Sequence, residues 1–109
     1  MSEGTNLSDS FDRLVGEYFE HLARCLEKAG LDVDFFDLTL SFPVDSQDMP
    51  YLMKVHRLRQ EIWLSSPISG GKRFSFFSSE GVWKDTHKCQ TLEALLYEEL
   101  NHYPLELSL

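Results

Sequence analysis

The residues of this chain best suited to chemistry are carboxylates near its start. Asp9, Asp12, Glu20 and Glu27 recur at spacings that put them on one broad side of a helix, away from an apolar stripe that begins at Phe11. Asp32 and Asp34, two residues apart, point together from an extended segment. Exposed carboxylates are hard oxygen donors suited to ferrous or ferric iron, calcium or magnesium, and without an enclosing cage they bind such ions weakly and with little discrimination. Composition alone favours the plainer reading, a solvated helix face that keeps the chain soluble. Glu17 and His21, four residues apart, are a second candidate pair for a divalent metal, a spacing that also arises by chance on a surface helix.

Several chemistries are excluded. A di-iron Glu-x-x-His motif would need Glu at position 18, which is Tyr18. Two helices cannot supply a four-helix carboxylate cage, so a ferritin-type oxidase is ruled out. His56, His87 and His102 have no metal spacing among them, and Cys25 and Cys89 stand far apart outside any C-x-x-C. No nucleophile motif, Walker loop or dinucleotide fingerprint occurs, so no conventional active site is legible.

The elements that must position these residues follow from apolar period. Phe11, Leu14, Val15, Tyr18, Leu22, Cys25, Leu26 and Ala29 predict an amphipathic helix, capped by Ser8 or Ser10 and stopped at Gly30. From Leu31 to Phe42 the period becomes two, and its phase slips between Phe35 and Phe36, which predicts a turn or bulge at Phe36-Asp37 between two short strands. A single long bulged strand is the alternative. Pro43 to Pro50 reads as a loop, and strands are expected at Tyr51 to Val55, Glu61 to Ser65, Lys72 to Phe77 and Val82 to Asp85. Thr91 caps a second helix whose stripe runs Leu92, Leu95, Leu96, Leu100, Tyr103 and which Pro104 ends. The fold class is therefore α+β, with two helices on one face of an antiparallel sheet. We expect a flexible start over 1–10, one domain over 11–103, and a tail over 104–109 whose Leu105, Leu107 and Leu109 either lie in a groove or fray.

Charge narrows the partners. Residues 1–50 hold 11 of the 18 acidic residues and 3 of the 10 basic ones, so the first half carries the whole net charge of -8. Such a field repels phosphate backbones and attracts cations or basic surfaces, which argues against nucleic acid. No apolar run is long enough for a membrane span, and neither a secretory signal nor an Arg-rich presequence is visible.

Glu61-Ile-Trp-Leu-Ser-Ser-Pro-Ile-Ser-Gly-Gly-Lys-Arg-Phe closely resembles the central signature of the frataxin family, IWLSSPxSGxKR. Glu17-Tyr-Phe-Glu-His-Leu-Ala resembles the family's first helix, Asp32-Val33 its acidic first strand, and Thr91-Leu-Glu-Ala-Leu-Leu-Tyr-Glu-Glu-Leu its second helix, with Trp83 where a second tryptophan is expected. The likeness covers roughly Phe11 to Leu100. Members commonly have glycine at the first hairpin turn, and often Asn and Gln on the third strand, where this chain has Lys54 and His56.

The resemblance implies an αβ-sandwich that binds iron weakly through Asp9, Asp12, Glu17, Glu20, Asp32 and Asp34. It implies service to iron–sulfur cluster assembly, with Trp63, Lys54 and His56 meeting the scaffold protein and Lys72 and Arg73 facing acidic surface on the cysteine desulfurase. Trp63 alternates with Ile62 and Leu64, so it is expected on the opposite sheet face to those two. Without the family a core position would be the usual fate of such a side chain. Oxidation of Fe(II) is a secondary expectation, because exposed carboxylates stabilise Fe(III) without forming a preorganised site. A monomer is expected, with iron-dependent oligomerisation as a further possibility. The location implied is a mitochondrion or an organelle derived from one, the bacterial cytoplasm being the alternative. The competing function is a plain interaction module whose acidic face docks a basic partner and whose metal binding is incidental.

Overall fold

A computed structural model describes residues 7–45 and 47–107, with side chains from Ser10 onward. The order is α1 (Leu7–Lys28), β1 (Asp34–Phe36), β2 (Thr39–Phe42), β3 (Tyr51–His56), β4 (Glu61–Ser66), β5 (Gly70–Phe77), β6 (Val82–Asp85) and α2 (Leu92–Glu99). The six strands form one antiparallel sheet in sequence order, each paired with the next. A meander of this kind needs only short hairpin links, which the Gly-, Ser- and Pro-containing turns supply.

Helix α1 begins at Leu7, ahead of the expected start at Phe11, and buries Phe11, Val15, Phe19, Leu22 and Leu26. Its end is a Schellman cap. The amide of Leu31 donates to the carbonyl of Leu26 and that of Gly30 to Glu27, both at 3.0 Å, with Gly30 at φ 99°. Helix α2 is capped by Thr91, whose hydroxyl accepts from the Ala94 amide at 3.0 Å. It stops at Glu99, short of the expected end at Pro104, with Leu100 as its C-cap. Its last turn carries Glu98 and Glu99 and no basic residue, the wrong sign for the negative end of the helix dipole. Tyr103 therefore packs on the core from a turn rather than from the helix. Leu105 and Leu107 are buried, and the Leu107 amide donates to the Tyr97 hydroxyl at 2.7 Å, so the described part of the tail is packed down. Leu109 lies outside the described residues.

The phase slip between Phe35 and Leu40 is a two-residue hairpin, but the turn is Asp37-Leu38, one residue beyond the expected Phe36-Asp37. Phe36 still pairs with Thr39, and both turn residues have positive φ, 51° and 58°. Phe36 is 80% exposed on the outer side of the pleat, which is why its apolar character misplaced the turn. Leu38 holds a left-handed backbone that usually falls to glycine or asparagine, and its side chain packs against the core beside Gly16. Strand β5 starts at Gly70, two residues before the expected Lys72.

The core lies between the helices and the inner sheet face. Leu40, Phe42, Tyr51, Met53, Ile62, Leu64, Phe74 and Trp83 project inward and are fully buried or nearly so. Trp83 stacks on Tyr18 of α1 and meets the edge of Phe11, which fixes α1 over β6. At the other flank Phe19 meets Phe35 edge-on. The helices cover only one face, so among the described residues no other helix or strand lies on the opposite face of the sheet, and what it displays is open to a partner.

Candidate functional site: the acidic flank and the bare sheet face

Helix α1 sets where the carboxylates go. Glu17, Glu20 and Glu27 are exposed, as are Asp32 and Asp34 where the chain enters β1. Asp12 is half-buried and held in a forked contact by Arg57 of the β3–β4 turn, at 3.1 and 3.2 Å. Glu20 faces Arg24 at 3.9 Å, one turn along the helix. Glu17 lies on the side of α1 toward α2, in a recess it shares with Tyr18, His21 and Glu93. It is thus turned away from Asp12, which reaches toward the β3–β4 turn. The side chain of Asp9 is outside those described. Among the described residues no three His, Cys, Asp or Glu side chains converge on a point that could hold a metal ion. Any cation taken here meets one or two carboxylates and otherwise water, a geometry suited to weak and exchangeable binding of hard ions.

The bare face is built on the pleat of β3, β4 and β5. Lys54 pairs across with Trp63, and Trp63 with Arg73, so the three side chains stand in a row on the outer surface. Ile62 and Leu64 point into the core while Trp63 keeps 39% of its surface exposed. Around it lies an open depression of about 530 Å³, lined by Leu52, Lys54, Trp63, Gly71, Arg73 and, from the loop after β6, His87. Lys72 also lines this depression, but from the opposite phase of the pleat to Arg73. It pairs with Leu64 in the inward phase and is half-buried, since neighbours along a strand alternate faces. His56, in register with Glu61, reaches diagonally to the Trp63 ring.

Two features escaped the sequence reading. Glu61 belongs to the outer face yet is only 7% exposed, and its Oε1 accepts the Trp63 indole N–H at 2.9 Å. Ser66, part of the signature segment, is buried and donates to Glu99 Oε1 at 2.7 Å, while its own Oγ accepts from the amides of Ile68 and Ser69. Tyr51 donates to the same Glu99 oxygen at 2.7 Å. The signature serine therefore ties the β4–β5 turn to the end of α2. Residues 33 and 48 positions apart leave no local period, so no sequence pattern announces such pairs.

Two phenols are perturbed. Burial, reinforced by the Glu93 carboxylate to which it donates, pushes the Tyr18 hydroxyl well above the ordinary range. Burial and the hydrogen bond to Glu99 likewise push Tyr51 up. Both phenols stay protonated as donors that hold α2 to its neighbours, a structural task.

Comparison with known proteins agrees with this architecture. A family model described as the frataxin-like domain matches residues 5–104. The chain is 36% identical over 96 residues to the mitochondrial frataxin homolog of Drosophila melanogaster, covering 85% of this chain and 50% of that protein. It is 33% identical over 98 residues to the mitochondrial frataxin of Dictyostelium discoideum, covering 84% and 50%. The chain thus spans about half the length of these relatives. Among solved structures, frataxin from Psychromonas ingrahamii superposes with a TM-score of 0.77 at 14% identity, covering 94% of this chain and 98% of that one. Trimeric frataxin from yeast, in a ferrous complex, gives 0.74 at 21% identity, covering 94% and 88%. At such identities the structures speak for the fold alone. The relatives are mitochondrial proteins, which is the location the signature implied. With the domain matched over nearly its whole length, and the helices and antiparallel sheet in the expected order, this chain belongs to the frataxin family.

Proposed function

We propose that this protein is an iron-binding accessory of iron–sulfur cluster assembly, which docks on a cysteine desulfurase and its scaffold protein and modulates their supply of sulfur or iron. The observation that carries the reading is the bare sheet face of a frataxin-family chain, where a half-exposed tryptophan stands between Lys54 and Arg73 beside an open depression. In a chain whose net charge is -8, a face whose cations surround an aromatic anchor favours an acidic partner surface. Arg73 suits bidentate pairing with a carboxylate there, while Lys54 and His56 lie close enough to Trp63 to share its contact. Lys72, half-buried within β5, also lines that depression and adds a second basic residue beside Arg73.

Iron is the cargo. Asp12, Glu17, Glu20, Asp32 and Asp34, with Asp9 beyond the described side chains, offer oxygen donors in ones and twos, which suits handing an ion on more than storing it. Oxidation of Fe(II) on this surface would be a slow side reaction, since nothing around the carboxylates is preorganised for it.

The test is the rate of cluster formation by cognate desulfurase and scaffold, given cysteine and Fe(II), with and without this protein. A rate change that Trp63→Ala abolishes supports the reading. An unchanged rate with active cognate partners refutes it, and leaves the acidic face as an interaction module with incidental metal binding.

A further inference from the structure

We infer that Glu61 and His56 are positioning residues which clamp the Trp63 indole in one orientation before any partner arrives. The inference rests on the docking role just proposed for Trp63, and it adds how this chain prepares that side chain. An exposed aromatic residue on a strand ordinarily samples several rotamers, and freezing them on binding costs affinity. Here two contacts restrict it, and a third fixes one of the groups that make them.

The indole N–H donates to Glu61 Oε1 at 2.9 Å. The His56 imidazole lies nearly parallel to the indole, with ring centroids 4.3 Å apart and an interplanar angle of 19°. The imidazole is itself fixed, because its Nδ1 accepts the Arg59 backbone amide at 3.2 Å within the β3–β4 turn. His56 and Glu61 are the pair that closes this hairpin, so the turn holds both jaws at a set separation. Trp63 sits diagonally across from His56, within reach of an aromatic side chain on a twisted antiparallel pair.

The burial of Glu61 fits no other task visible on this face. A carboxylate 7% exposed on the bare side of a sheet is desolvated at a cost, and the indole N–H is the donor that offsets it. By taking up the indole N–H, Glu61 also leaves Trp63 to offer a partner only its ring and far edge. The partner's contact with Trp63 must then be apolar or stacking, with its acidic groups directed to Lys54 and Arg73.

Indole ¹⁵N–¹H resonances provide the test, since the chain has two tryptophans and Trp63→Phe identifies one of them by its loss. In the wild-type protein the Trp63 N–H should exchange slowly with solvent for a half-exposed group. Glu61→Ala should speed that exchange at least tenfold and shift the resonance, while backbone amides outside the hairpin stay in place. Glu61→Gln, which keeps an acceptor oxygen, should restore both. His56→Ala should move the resonance through loss of the stacked ring. Where the Glu61→Ala variant fails to fold, the Gln and His56→Ala variants decide the matter on the same readouts. Unchanged exchange and shift in Glu61→Ala, or in His56→Ala alone in that event, overturn the clamp. Freeing the indole should also weaken partner binding by roughly two- to tenfold, the equivalent of one side chain's ordering cost. The indole signal judges the clamp without any partner, so its failure is distinct from failure of the docking role.

Discussion

Replacing Glu99 by alanine should destabilise the fold far more than its half-buried position suggests. One oxygen of this carboxylate accepts from Tyr51 and Ser66, both at 2.7 Å, and both donors are buried. A hydrogen bond to a charged acceptor is worth roughly 1.5–3 kcal/mol net, and a stranded buried donor costs about 1–3 kcal/mol. Among the described residues Glu99 is the one side-chain acceptor that both hydroxyls share, and with it gone Tyr51 and Ser66 are left close to each other as partial replacements, so the loss falls short of two full stranded donors. We expect about 3 kcal/mol for Glu99→Ala, about 1.5 kcal/mol for Tyr51→Phe, and about 1 kcal/mol for Glu99→Gln, which keeps an acceptor but no charge. Equilibrium urea unfolding measures this, and for a domain of this size 3 kcal/mol lowers the midpoint by roughly 1–3 M. In a double-mutant cycle Glu99→Ala and Tyr51→Phe should couple by at least about 1 kcal/mol. A loss below about 0.5 kcal/mol for Glu99→Ala, or strict additivity with Tyr51→Phe, would refute the view that the Glu99 carboxylate anchors the sheet to the end of α2.

Three further outcomes are expected. Tyr18 and Tyr51 keep their protons in the fold while the unfolded chain loses them above about pH 10. Their contribution is therefore complete below pH 10 and falls as pH rises beyond it, by up to ~1.4 kcal/mol per pH unit for each phenol. Thermal melts from pH 8 to 11.5 should show that decline, flattened in Tyr51→Phe, and a flat wild-type profile would count against it. Gly30→Ala should cost about 1 kcal/mol in chemical unfolding, because φ 99° at the Schellman position strains any residue with a Cβ. Anaerobic ferrous titration followed by amide resonances should move Asp12, Glu20, Asp32 and Asp34, and Asp32→Asn with Asp34→Asn should remove part of the response. Unmoved acidic amides would end the weak iron-binding reading.

Much of this architecture can be read from local pattern, because α1, β3, β4 and β6 each repeat their own period with clear stops. The errors arise where the deciding force is not local. Leu38 takes a left-handed turn position because the hairpin's twist and its contact with the core outweigh its backbone preference, so the turn moved by one residue. Helix α2 stops at Glu99, whose carboxylate is held by Tyr51 and Ser66 of the sheet, although its apolar stripe runs on to Tyr103. On the site, alternation alone placed Trp63 opposite Ile62 and Leu64. The same rule, applied one strand later, separates Lys72 from Arg73, which the signature presents side by side. The Glu61 to Trp63 contact spans two residues of one strand, and a polar residue at i and an aromatic at i+2 is a readable cue for it. The Tyr51, Ser66 and Glu99 group has no such cue.

The most direct test of the bare sheet face is calorimetric titration of the desulfurase–scaffold complex with wild-type protein and with Trp63→Ala, after circular dichroism has shown both to be folded. A buried aromatic anchor at an interface is worth about 2 kcal/mol or more, so the variant should bind at least roughly 30-fold more weakly. Equal affinity of the two folded proteins would contradict the account, since Trp63 could then not be the anchor of the face.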